Sequence, residues 1–465
     1  MYSVGKKPES KYSKPVMAKE LKILFFPWLA HGHLSPFFEL AKRLTKKNFK
    51  AYICSSPVNL SSIRLPPDSS AVEFVPLHMP ESPELPAELH STRNLPNHRV
   101  IELIACFQSC DEIFAGILAS LKPDLVIYDL FQPWAPRIAI GMGIPAVFFS
   151  MYNATFYSYY HHLYNHGTPE TYPFSDAISL DEYERFRLGD LFVHLKDAEH
   201  EFVFGNFNLS TEVVLVKGFG KMEEKYINYL SQMNGKRILR TGPLFAGSSI
   251  GGVHSEKSSE ILKWLSGKPE SSTVYISFGS ESFLSAKQMQ QIGVGLEISP
   301  VNFIWVIRFS HLEKARPVEE VLPEGFLDRN KEKGLIITEW APQQAILGHR
   351  SVGGFVSHAG WSSTTESLLC GVPIVAMPLG SDQPINARLL AEAGVAVEVE
   401  KSVKDYSGIY MGEAIAEALK KLVAEEGKIM KKRAAALREE MKESEEHDID
   451  IVAHELRNIC TKYVT

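Results

Sequence analysis

Positive charge is scarce where a nucleic acid would need it. The 465 residues carry 49 Lys plus Arg against 55 Asp plus Glu, a net charge of −6, with no long basic run. A nucleic-acid partner is therefore not expected. Cysteine is equally sparse: the thiols at 54, 106, 110, 370 and 460 are odd in number and form no CxxC pair. That argues against a disulfide framework and a zinc site, and for a reducing cytoplasm. No apolar run reaches the length of a membrane span. The nearest imitation, LKILFFPWLA at 21–30, lacks a small-residue cleavage site and runs into the amphipathic HGHLSPFFELAKRL, so it reads as a buried first strand. There is no G-x-x-x-x-G-K-[ST] loop. The one G-x-G-x-x-A match, GMGIPA at 141–146, follows the helical APRIAI and opens the strand AVFFS, the reverse of a dinucleotide fingerprint. Repeats and low-complexity tracts are missing too. The one Asp-x-Asp, Asp448 and Asp450, falls in a charged helical tail and is expected on a solvated face, so no metal site is expected.

What is present is alternation. LKILFFP, KAYICS, VEFVPL, PDLVIYD, PAVFFS and EVVLVK are short, apolar and rich in β-branched or aromatic residues, with helix-length segments between them. Such runs belong to parallel strands covered on both faces. The pattern breaks over 241–260, TGPLFAGSSIGGVHSEKSSE, and restarts with STVYISFGS, NFIWVIR, GLIITEW, GGFVSH, PIVAMP and VAVEVE. The expected fold is α/β, two doubly wound Rossmann-like domains facing each other across a cleft. The expected boundaries are a disordered extension at 1–19, a first domain at 20–245, a linker at 246–260 and a second domain at 261–445. A helix at 446–465 is expected to pack back on the first domain.

Between two apolar runs the stretch FVSHAGWSSTTESLLCGVPIVAMPLGSDQP, 355–384, concentrates His, Gly, Trp, hydroxyls and Glu. GGFVS has the make-up of a buried strand and STTESLLC the spacing of a helix, so the polar cluster lies at a strand-to-helix turn. In a parallel sheet that turn is at the carboxyl edge, where a helix N-terminus offers unpaired N–H groups to an anion.

From Trp340 to Gln383 the chain reads WAPQQAILGHRSVGGFVSHAGWSSTTESLLCGVPIVAMPLGSDQ. This resembles the donor-binding signature of plant UDP-sugar-dependent glycosyltransferases, whose fold is GT-B. HGHLSPF, DLVIYDLFQPWAP, TGPL and VYISFGS match the family in order, so the resemblance covers nearly the whole chain after residue 20. It is strongest to the branch that adds a sugar to a sugar already on a plant glycoside, which shares FPWLAHGH, QPWAP and GWSS.

The resemblance implies roles that elementary chemistry supports. Trp340, with the backbone of Ala341, would hold a uracil ring, and Gln343 and Glu366 the ribose. His358, Gly360, Trp361, Ser362, Ser363 and Ser280 would surround the diphosphate at the helix N-terminus, and Asp382 and Gln383 would hold the transferred sugar. His33 would be the catalytic base, oriented by Asp129. The reaction would be a single inverting displacement that needs no cofactor beyond the UDP-sugar. On the acceptor side His90, Trp134, Tyr152 and Asn153 are expected to line the cleft, because MYNATFYSYYHHLYNH at 151–166 follows a strand end and LHSTRNLPNH at 89–98 should face it. A buried aromatic stripe is the other reading of that first segment. Gly380 stands where many members carry Trp, which removes a ring from the sugar pocket and leaves UDP-xylose and UDP-rhamnose open beside UDP-glucose. The expected partners are a small-molecule glycoside and the UDP-sugar, with no membrane insertion and a monomeric chain. A nucleotide-sugar binding protein without turnover is the rival reading, and a transferase acting directly on an aglycone is another.

Overall fold

The computed structural model describes residues 19–63, 72–93, 95–96, 99–185, 205–244, 256–279, 282–309, 316–401 and 408–463. Ser280, most of the extension and the linker up to residue 255 lie outside these residues. Every run nominated as a strand forms one. In the first sheet these are β1 (Leu21–Phe26), β2 (Phe49–Ser55), β3 (Val72–Pro76), β4 (Leu125–Tyr128), β5 (Ala146–Ser150) and β6 (Val213–Val216), joined by β7 (Arg237–Arg240). The sequence reading missed β7, because RILR is short and its two arginines break the apolar run. The second sheet contains β8 (Thr273–Ile276), β9 (Asn302–Val306), β10 (Gly334–Ile337), β11 (Val352–Ser357), β12 (Ile374–Ala376) and β13 (Ala396–Glu398).

All pairings are parallel, with strand orders β3-β2-β1-β4-β5-β6-β7 and β10-β9-β8-β11-β12-β13. Each sheet is therefore doubly wound, and its order reverses once: between β1 and β4 in the first, between β8 and β11 in the second. Diverging connections leave a crevice at these points, outside the carboxyl ends of the strands. GMGIPA behaves as a helix end: the helix Trp134–Gly141 stops and Gly143 turns the chain at φ 76° into β5.

Side chains from the two carboxyl edges meet. Trp361 stacks on Phe219 at 5.4 Å, Asn153 Nδ2 donates to Asn386 Oδ1 at 2.7 Å, and the buried Glu184 binds both Arg388 and Lys401. A single helix, Glu425–Tyr463, then runs from the second domain to the first. Its Ile449, Val452, Leu456 and Ile459 pack in the core on one face of the first sheet. Asp448 corrects the expectation of a solvated face. It is buried, 3.8 Å from Arg240, because this stretch of helix is sandwiched against β7, while Asp450 pairs with Lys47.

Candidate active site

At the first crevice β1 ends, the chain turns, and the helix His31–Thr45 begins, placing His33 in its first turn. Asp129 is the first residue past β4. Their side chains meet, His33 Nδ1 to Asp129 Oδ2, at 2.8 Å. The carboxylate is fixed before the histidine arrives: Oδ2 also accepts from Trp28 N at 2.9 Å and Oδ1 from Leu130 N at 2.7 Å. The Asp129 side chain is 1% exposed and that of His33 18%. A carboxylate this firmly held selects the tautomer with the proton on Nδ1, so Nε2 carries the basic lone pair.

At the second crevice β11 leads through His358-Ala359-Gly360 into the helix Trp361–Leu369. Gly360 caps this helix with no side-chain hydrogen bond, and its first turn holds no acidic residue, so its leading N–H groups remain available to an anion. The His358 ring is hemmed in by two glycines. A Cβ at Gly360 would come within 2.4 Å of its Nε2 and one at Gly279 within 3.1 Å of its Cε1. Desolvation pushes His358 down to about 4, which favours its neutral form. Ser362 is exposed and Ser363 half-buried at the same helix start.

Trp340 is 48% exposed, an open apolar face beside the buried Ala341. Gln343 Nε2 donates to Glu366 Oε2 at 2.6 Å, which brings together the two residues assigned to the ribose. Burial raises the Glu366 carboxyl, opposed by the Gln343 hydrogen bond and by the charge of Lys217. Asp382 is buried and pushed up to about 6 by desolvation, opposed chiefly by its hydrogen bond with Asn386 and weakly by the charge of His33. Asn386 Nδ2 donates to both Asp382 Oδ2 at 2.7 Å and Ala359 O at 2.9 Å. Gln383 Oε1 accepts from Leu379 N and Gly380 N, which pins its side chain to the loop before its helix.

Tertiary packing gives contacts to four of the nominated residues that the order of residues did not show. Trp361 does not turn its ring to the donor: it is buried on Phe219, and its Nε1 donates to Lys217 O across the domain boundary, so only its backbone belongs to the helix start. Asn153 is fully buried. Its Oδ1 caps the helix Ala154–His166 at Phe156 N, and its amide is spent on Asn386, so it positions the neighbouring domain. His90 is also buried; its Nε2 lies 3.2 Å from Leu85 O, and its backbone carbonyl accepts from Ser56 Oγ. Trp134 is half-buried and packs edge-on against Phe26, Phe107 and Phe114. Tyr152 stays half-buried beside Phe156. The other tyrosines expected near it, Tyr157, Tyr159 and Tyr160, are buried, so the aromatic helix is chiefly a core stripe. Sequence reasoning missed Lys217 and Asn386. Asn386, one turn after Asp382 on the same helix, was detectable; Lys217 closes an apolar strand and gave no signal beyond its charge.

A histidine held by a buried carboxylate at the carboxyl edge of one doubly wound sheet, and an uncapped helix start at the carboxyl edge of the other, fit the layout of a GT-B fold. Residues 243–440 match the family described as UDP-glucoronosyl and UDP-glucosyl transferase. UDP-glucosyltransferase 29 of Panax ginseng is 42% identical over 95% of this chain and 97% of its own length. The beta-D-glucosyl crocetin beta-1,6-glucosyltransferase of Gardenia jasminoides is 38% identical over 94% and 98%. A Glycyrrhiza uralensis glycosyltransferase solved with glycyrrhetinic acid 3-O-monoglucuronide has the same fold, with a TM-score of 0.81, 22% identity and coverage of 96% and 97% of the two chains. The chain belongs to the plant UDP-glycosyltransferases, enzymes that take a UDP-sugar as co-substrate. Among the described residues no helix is long and apolar enough to cross a membrane.

Proposed function

We propose that this enzyme transfers glucose from UDP-glucose, with inversion, to a hydroxyl of a sugar already carried by a flavonoid or terpenoid glycoside. The observation that carries the chemistry is the 2.8 Å contact of His33 with the buried Asp129, opposite Asp382 and the uncapped helix Trp361–Leu369. Uracil stacks on Trp340, the ribose hydroxyls meet Gln343 and Glu366, and the diphosphate lies at that helix N-terminus. His33 Nε2 takes the proton of the acceptor hydroxyl as its oxygen bonds to the anomeric carbon. The bond from that carbon to the β-phosphate oxygen breaks, and its electron pair leaves with UDP. Asp129 stabilises the imidazolium that results. The acceptor class is supported by the Gardenia relative, whose name places its transfer on a glucosyl crocetin. Five free cysteines support a cytoplasmic site of action, where the chain works as a monomer.

The test of the acceptor is kcat/KM for a matched pair, a flavonoid or terpenoid and its monoglucoside, with the linkage read by NMR. Each hydrogen bond to the first sugar that an aglycone lacks costs about 1–3 kcal/mol. The glycoside is therefore expected to be about 5- to 150-fold better with one such contact. Equal turnover of the aglycone at its own hydroxyl would replace this reading with that of an aglycone glucosyltransferase.

A further inference from the structure

Lys217 is the first residue beyond β6, in the acceptor-side domain, and its backbone is held on both sides: its N–H donates to Ser150 O at 3.1 Å, and its carbonyl accepts from Trp361 Nε1. The side chain crosses to the other domain. It is 3% exposed, and Nζ donates to Ser362 Oγ at 3.0 Å, in the first turn of the helix Trp361–Leu369. Among the described residues that hydroxyl is the one hydrogen-bond acceptor the ammonium reaches, although it has three N–H groups to give. Glu366, one turn further along, is the charge that acts on it, but its carboxylate hydrogen-bonds to Gln343 and no hydrogen bond joins it to Lys217 Nζ among the described residues. Burial lowers the Lys217 ammonium to about 8, as expected of a cation with too few partners.

A buried ammonium resting on a single neutral hydroxyl is a poor strut between domains. It is a good half of an anion site. Ser362 is exposed, so the ammonium and the uncapped helix start meet where the cleft opens. His358, the nearest candidate for positive charge on the helix side, is neutral at working pH.

We propose that Lys217 is a donor-binding residue that gives its ammonium to the diphosphate of the UDP-sugar from the acceptor-side domain, so that the two domains grip the same anion. This rests on the placement of the diphosphate at the helix Trp361–Leu369 made above. As the glycosidic bond breaks and negative charge grows on the β-phosphate, the lysine already stands beside it. The donor's affinity then depends on a residue outside the 340–383 signature.

Calorimetric titration of wild type and Lys217→Met with UDP and with uridine separates the possibilities. Uridine engages Trp340, Gln343 and Glu366 but carries no phosphate, so its affinity should be the same in both proteins. UDP should bind Lys217→Met about 10- to 100-fold more weakly, the loss expected for a charge-assisted hydrogen bond. A variant that keeps the wild-type ratio of UDP to uridine affinity overturns the proposal and leaves Lys217 a domain strut. A wild type that binds UDP no better than uridine overturns the placement of the diphosphate itself. If the methionine variant loses uridine as well, Lys217→Gln, which is polar but neutral, is read by the same ratio.

Discussion

Replacing Asp129 by Asn tests the base at its support. The carboxylate accepts three N–H groups, from Trp28, Leu130 and His33, at 2.9, 2.7 and 2.8 Å. An amide of the same shape has one acceptor oxygen and one donor group, so neither orientation satisfies all three. With its oxygen at the Oδ2 position, the NH2 meets the N–H of Leu130. Flipped, the NH2 meets Trp28 N–H and His33 Nδ1, and the imidazole must carry its proton on Nε2, where it cannot accept from the acceptor hydroxyl. Either way the imidazolium loses its counter-charge. The expected fall in kcat is about 10²–10⁴-fold, the range of general-base contributions. Leaving a buried N–H facing a donor costs about 1–3 kcal/mol of stability. Asp129 bonds to Trp28, Leu130 and His33 and to none of the residues assigned to UDP, so the Kd for UDP should stay within about twofold of wild type, well under 1.4 kcal/mol. The assay is kcat at saturating UDP-glucose and glycoside, with UDP titrated by calorimetry on the same preparation. A kcat within about threefold of wild type would refute the base assignment and the tautomer argument behind it.

Trp340→Ala and Glu366→Ala should each weaken uridine binding, the first by about 1 kcal/mol for a lost ring face, the second by about 1.5–3 kcal/mol for hydrogen bonds to a charged acceptor; unchanged affinity in both would displace the nucleoside from this site. Stability should also depend on pH through Glu223, which is fully buried, accepts from Thr155 N at 3.2 Å and is pushed up by desolvation to about 7 from 4.5. A carboxyl raised on folding binds its proton more tightly in the native state, so the stability it adds is fully present below about pH 4.5 and lost as pH rises to about 7, a span worth roughly 3 kcal/mol. Asp382 acts in the same direction and His358, lowered on folding, in the opposite one, so the comparison must be between proteins. Glu223→Gln should gain thermal stability relative to wild type between pH 5 and 8; a melting-temperature difference that does not change with pH would show that Glu223 does not titrate in this range.

The alternation of buried strands with helices, the two halves and the strand-to-helix turn at His358–Ser363 were legible in the order of residues, because each depends on neighbours within a few positions. So was the nearness of Gln343 and Glu366, which fall on adjacent elements of one domain and hydrogen-bond to each other. The acceptor side was not. His90 and Asn153 have the chemistry of ligand-binding groups, but packing turned both inward, and a polar side chain shows its direction only when its partners, Leu85 and Asn386, are in place. Asp448 failed for the same reason, since a charged helical stretch looks solvated until another element covers it. Lys217 stands 145 positions from the hydroxyl it reaches, and Asn153 stands 233 from Asn386. No local period links such pairs. The fold could be read because secondary structure and doubly wound order follow local spacing. The shape of the cleft was decided by tertiary structure, because it depends on which side chains two domains, folded apart in sequence, bury against each other.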